Sequence, residues 1–251
     1  MKHLLGDKFM NKESLLIRCV ILVIGLFIMA LGVALSVKAN LGTSPISSVP
    51  YVYSLGFPFT MGIITIVMNV VFILLQIVLL RKEYQPIQLL QLPVAILFGF
   101  FTDLTLSLVS SKILVSNYLF QWILCLLSCL IIAFGVYLQV KAKVIYLAGE
   151  GLSLAISKTF HKEFGKVKVA FDCALVTIGF ISSFLWLHTI QGIREGTITA
   201  ALLVGTIVRF YSKKLKFVDA LLGEEVGKEI AIQTGAIDPQ KKMAAFLDTT
   251  L

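Results

Sequence analysis

Charge is what this sequence has least of. Charged residues make up 14% of the chain, against about 25% in an ordinary soluble domain. Hydrophobic residues make up 58%, more than a soluble core of this size can hide. A lipid bilayer can take the place of that core. Chemical motifs are missing too. No glycine-rich phosphate loop, nucleophile elbow, catalytic triad or zinc-ligand spacing occurs, so no enzyme activity and no cofactor are expected. Cys19, Cys125, Cys129 and Cys173 all lie inside apolar runs and read as small buried hydrophobes. His161 and His188 read as surface loop residues. The net charge of +8 does not form one basic face. Lys and Arg gather at the ends of apolar runs, which excludes nucleic acid as a partner and fits the positive-inside pattern of membrane proteins.

What is present is a series of long apolar runs. A spanning helix needs about 20 mostly apolar residues. Six segments qualify: 15–37, 61–80, 87–109, 118–140, 167–187 and 196–212. The first follows Lys2, Lys8 and Lys12, yet it is longer than the ~7–15 residue core of a cleaved signal, so it is expected to stay as a helix. Paired backbone groups in lipid require helices, and the fold class expected is all-α, a polytopic bundle.

Two further segments are short. Asn40, Gly42, Thr43 and Ser44 precede Pro45 and lead into 46–57. Gly149, Glu150 and Gly151 lead into 152–160. Each predicts a helix of roughly 14 residues, or ~21 Å at 1.5 Å per residue, too short to cross a ~30 Å hydrocarbon layer.

The chain also repeats itself. Shifted by 103 residues, 31–39 falls on 134–142 with six of nine positions identical, among them Gly32 on Gly135 and Lys38 on Lys141. The same shift sets Gly62 on Gly165 and Asn69 on Asp172. Three further residues of slip set 95–99 on 201–205. The organisation expected is a cytoplasmic N-terminus (1–14), two transmembrane repeats (15–110 and 111–217) and an amphipathic cytoplasmic tail (218–251), with one tail helix over 219–233. Six crossings with two short segments that dip in and return put every basic loop on one side. An odd number of crossings per half then inverts the halves. Eight crossings with parallel halves are the alternative. They place Arg81 and Lys82 on the far side and leave the short segments unexplained.

Inverted repeats with broken helices place ligands near the bilayer midplane. A helix that begins within lipid leaves unpaired N–H groups that a polar or anionic guest satisfies. The candidate substrate-binding residues are therefore Asn40, Gly42, Thr43 and Ser44 in one half and Gly149, Glu150 and Gly151 in the other. Asn69, Asp103 and Asp172 join them as polar groups within apolar helices. Asp172 reads either as a cation or proton site or as a carboxylate paired to a nearby lysine. Lys38 and Lys141 read as helix-end residues that snorkel to water, or as flanks of a pathway entrance.

The turn Leu41-Gly42-Thr43-Ser44-Pro45 and the late run from Gly196 to Gly205 resemble the YczE/YyaS/YitT-like family of bacterial integral membrane proteins over about 15–212. That family tends to carry a proline where this chain has Thr206, and an Arg-Asp pair before the glycine of the second short segment, where this chain has Gly149-Glu150-Gly151. The resemblance implies residence in the bacterial cytoplasmic membrane, with both termini cytoplasmic. The function expected is secondary transport or export of a small polar or amphiphilic molecule or ion, bound between the halves. A non-transporting scaffold for an enzyme assembly is the alternative. The partners expected are the lipid bilayer, a small-molecule or ion substrate and a second copy of the chain.

Overall fold

Apolar runs of this length can satisfy their backbones only by coiling, and they do. The computed structural model describes residues 12–112, 117–189 and 191–215. Among them are eight α-helices and no strand: α1 (Lys12–Ala39), α2 (Pro45–Gly56), α3 (Met61–Leu80), α4 (Gln91–Lys112), α5 (Tyr118–Ala142), α6 (Ala148–Thr159), α7 (Phe164–Leu187) and α8 (Glu195–Lys214). Two 3-10 turns, Arg81–Glu83 and Pro86–Leu90, join α3 to α4. The bundle is all-α, as the composition requires. The tail and its helix at 219–233 lie outside the described residues.

Five helices are long and apolar enough to cross a membrane: α1, α3, α4 with its preceding turn, α5 and α7. The expected sixth, α8, matches α3 in length at 20 residues but is less apolar, carrying Glu195, Arg209, Lys213 and Lys214. The short helices are 12 residues each, about 18 Å long. Pro45 stands in the first turn of α2, where its missing N–H costs nothing. Pro50 lies inside α2 and removes the hydrogen bond that the carbonyl of Ile46 would otherwise accept.

The second short helix begins within the expected stretch, at Ala148. Its first bond runs from Gly151 N–H to the Leu147 carbonyl at 2.9 Å. Gly149, Glu150 and Gly151 therefore form its first turn and are not a loop before it.

The repeat is visible in the packing. α1 lies along its own counterpart α5. The α1–α4 contact matches α5–α8, α2 on α7 matches α6 on α3, and α2–α3 matches α6–α7. Each short helix thus rests chiefly on the other half. One pair breaks the pattern: α3 and α4 pack closely, while α7 and α8 barely touch.

α1 and α5 run antiparallel. Arg18 Nη1 donates to the Ala142 carbonyl at 3.3 Å, and a β-carbon at Gly135 would fall 2.6 Å from the Met29 nitrogen. Farther along, Leu35, Ala39 and Leu41 share a cluster with Leu124 and Cys125. Two equivalent helices that run in opposite directions make the halves inverted, which excludes the parallel arrangement. Gly25, Gly32 and Gly135 let the two backbones meet at close range, because none leaves room for a side chain.

The contacts also sort the loops into two ends. At one end Arg18 meets Ala142, Lys158 pairs with Glu83 at 2.7 Å, and Tyr137 donates to the Leu215 carbonyl. At the other end Arg194 Nη1 donates to the Asn40 carbonyl at 3.1 Å, Lys38 reaches the Ser110 carbonyl, and Phe57 meets Trp186 at 5.1 Å between centroids. Arg81, Lys82, Lys143, Lys158, Lys162 and Lys166 belong to the first, basic end. Lys141 does not snorkel there as expected. It is fully buried, with its ammonium 5.8 Å from the centre of the Tyr137 ring, on which Tyr211 and Leu215 also pack.

Candidate functional site

The first turns of α2 and α6 meet at the centre of the bundle. Ile46 and Gly149 occupy equivalent positions in the two halves, and they touch: a β-carbon at Gly149 would clash with Ile46 Cδ1. The pseudo-two-fold axis therefore passes between them. From there α2 runs out to Phe57 beside Trp186, and α6 runs out to Lys158 beside Glu83. Phe72, Ile73, Leu152 and Leu175 surround the meeting point, with Val49, Met68 and Phe171 packed on them. This junction is apolar and filled.

Polarity lies one turn away, as hydroxyls on one side (Ser44, Ser47 and Ser48) and as amides on the other. Gln76 of α3 and Gln91 of α4 form a buried amide pair. Gln76 Nε2 donates to Gln91 Oε1 at 2.9 Å and to the Ala148 carbonyl at 3.1 Å. Gln91 Nε2 donates back to Gln76 Oε1 at 3.2 Å. Gly151 makes this possible, since a β-carbon there would stand 2.7 Å from both amides. Outward from the pair opens a cleft of about 200 Å³ between the Pro86–Leu90 turn and α6. Gln85, Gln88, Gln91, Tyr146, Gly151, Leu154 and Ala155 line it, and the Glu83–Lys158 ion pair stands at its mouth.

The other half carries the counterpart of this cleft, and there it is shut. Gln76 corresponds to Gly179, Gly151 to Ser48, Gln91 to Thr197, and the turn at 85–88 to residues 191–194. That second turn is docked. Thr43 N–H donates to the Gly192 carbonyl at 3.0 Å, and Gly196 N–H donates to the Leu41 carbonyl at 2.8 Å. Tyr51 and Val52, the counterparts of Leu154 and Ala155, press on Gly192. Gly42 has φ +99 and lies against the Thr197 hydroxyl and the Arg194 nitrogen, so only glycine fits.

The residues singled out from sequence fall into separate places. Asn40, Gly42, Thr43 and Ser44 make the docked turn. Asn40 is exposed with φ +56; Thr43 and Ser44 are buried, the latter donating to Ser47 Oγ at 3.0 Å. Asn69 Nδ2 is bonded to the Thr65 carbonyl of its own helix at 2.7 Å. Asp103 caps α3: its carboxylate accepts from Gly62 N–H at 2.7 Å and from the Thr60 hydroxyl at 2.6 Å. Asp172 pairs with Lys168, and Glu150 lies within the field of both. Gly151 alone lines the cleft, while Gly149 packs on Ile46. The spacing of charged residues did not point to Gln76, Gln88 or Gln91. A lone glutamine such as Gln76 inside the run 61–80 was the signal, because an amide in lipid must find a partner. Among the described residues no group of three or more His, Cys, Asp or Glu is placed to hold a metal ion.

Residues 16–213 match the sequence profile of a family described as a family of unknown function, DUF6198. No curated protein and no solved structure matches the chain.

Proposed function

The chain belongs to the family of unknown function DUF6198, and from that premise we propose that it is a secondary transporter of a small polar or amphiphilic molecule in the bacterial cytoplasmic membrane. The basic end faces the cytoplasm under the positive-inside rule. α8 completes six crossings, and α2 and α6 enter from opposite faces and return.

One observation carries this reading. One cleft is open at the basic end, while in the other half the equivalent residues are packed under the docked turn at 191–194. An inverted repeat can exchange the conformations of its halves, opening a cleft there as the first closes. That exchange is alternating access. The Lys168–Asp172 pair is the ionisable group available for coupling, whereas Asp103 serves as a helix cap. Kinship with the YczE/YyaS/YitT-like proteins belongs to the same reading.

A reversible lock tests it. The Leu41 carbonyl accepts from Gly196 N–H at 2.8 Å, and a β-carbon at Gly196 would lie 2.9 Å from Leu41 Cβ. That is inside the ~3.5–4.5 Å of a disulfide, and the same β-carbon meets the Leu41 carbonyl at 2.6 Å, so the turn must move outward by more than half an ångström before the bond closes. In a background with Cys125 and Cys129 replaced by alanine, Leu41→Cys with Gly196→Cys should cross-link on oxidation. Solute exchange across proteoliposomes, measured over a panel of small polar solutes, should stop and return on reduction. Full exchange by the cross-linked protein would overturn the mechanism, and no exchange of any solute by the parent protein would overturn transport itself.

A further inference from the structure

The cleft at the basic end has a chemical character that goes beyond transport in general, and the inference rests on the reading above. Inward of its mouth the polar lining is made of uncharged side chains: the amides of Gln85, Gln88 and Gln91, and Tyr146. The charges at its mouth, Glu83 and Lys158, are paired with each other at 2.7 Å and are mostly exposed to solvent. A charged ligand seated inward of them would lose its water without gaining a counter-ion, which is costly. An uncharged ligand with hydrogen-bonding groups meets no such penalty.

A second observation points to the same class. Gln88 Oε1 is buried and accepts no hydrogen bond among the described residues, although Gln88 lines the cleft. Buried acceptors are normally paired, and a turn of the Gln88 side chain, which lines the cleft, would bring this unused acceptor to the N–H or O–H of a guest. Its neighbour Gln91 is held rigid by Gln76, so the amide it offers is already oriented. Leu80, Ile145, Leu154 and Ala155 supply apolar walls for a short alkyl portion. A space of about 200 Å³ limits the guest to a small molecule.

The asymmetry of the halves strengthens the assignment. Of the three lining amides only Gln85 is matched, by Gln191; Gln88 and Gln91 correspond to Arg194 and Thr197 in the other half, and Gly179 stands where Gln76 supports Gln91. The amide set is thus not a requirement of the repeated architecture. We propose that the cleft bounded by Gln88, Gln91 and Gly151 binds an uncharged small molecule that joins a hydrogen-bond donor, such as a primary amide, to a short alkyl group.

Three probes of one skeleton isolate charge: butyramide, butyrate and butylammonium. Binding to the detergent-purified full chain is read by saturation-transfer NMR, with protein-free micelles as the baseline. Butyramide should give a signal about tenfold above either ion, the affinity worth of one well-made buried hydrogen bond. Gln88→Leu should remove that preference, and Leu154→Trp, which fills the cleft without touching the amides, should remove binding. A stronger signal from butyrate or butylammonium, or butyramide binding that survives Leu154→Trp, overturns the assignment. Equal silence from all three probes overturns it as well. None of these results bears on transport, which the disulfide lock decides separately.

Discussion

Replacing Gln76 by leucine changes little in volume but removes every bond that orients Gln91. The variant leaves Gln91 Nε2 and Oε1 each without its side-chain partner and the Ala148 carbonyl without its side-chain donor. Stranding buried polar groups costs about 1–3 kcal/mol. Within membrane bundles the coupling of a hydrogen-bonded pair averages about 0.6 kcal/mol and reaches about 1.7. This pair makes two reciprocal bonds, with Gln76 fully buried and Gln91 nearly so, so its coupling belongs near the top of that range. Gln76→Leu alone should lose roughly 1.5–2 kcal/mol. Gln91→Leu should lose a similar amount, and the double variant should lose about 1–1.7 kcal/mol less than the two losses added together. Unfolding in mixed micelles with increasing SDS, followed by circular dichroism, gives all four free energies. Additivity within about 0.3 kcal/mol would show that the amides do not depend on each other. The position of Gln91 could then no longer be attributed to Gln76.

Four other outcomes follow from the same coordinates. Gly135→Ala should cost about 2–3 kcal/mol, because the added carbon meets the α1 backbone. Gly205→Ala, with nothing within 4 Å, should be neutral or stabilise by up to about 1 kcal/mol through helix propensity; thermal unfolding in detergent compares them. Asp103→Leu should lose about 1–2 kcal/mol as the cap on α3 disappears, and Asp103→Asn less; the same melts read both. Exchanging the charges of Glu83 and Lys158 should change stability by less than about 1 kcal/mol, since both side chains are exposed. Asp172→Asn should weaken proton-gradient-driven uptake while leaving solute exchange without a gradient nearly intact, and loss of both would place Asp172 outside the coupling step.

The helices were legible because lipid imposes one strong rule on composition, and the repeat was legible because Gly32 and Lys38 recur as Gly135 and Lys141. The antiparallel seam gives the physical reason for the first match, since both glycines lie where α1 and α5 touch. Gly149 and Gly151 read as a helix start open to a ligand, and they do stand in the first turn of α6. Here they serve close packing on Ile46 and on the amides, a tertiary demand that sequence spacing does not reveal. The cleft was missed for a related reason. Charged residues draw attention in an apolar sequence, yet Asp103 and Asp172 are occupied by a helix end and a lysine. The open lining is built of neutral side chains on α4 and its preceding turn. Even the duplication hid something: its value lies in the places where equivalent residues differ.

The seam of α1 against α5 has a consequence for ancestry. A surface that pairs with its own duplicate in reverse is one that two separate copies of a half-length chain could share. Such a chain would have entered the bilayer in either direction and then found a partner of opposite heading. Joining the copies end to end fixed one heading for each and freed their sequences to diverge, so that glutamines could gather on one side while glycine and threonine took the matching posts on the other.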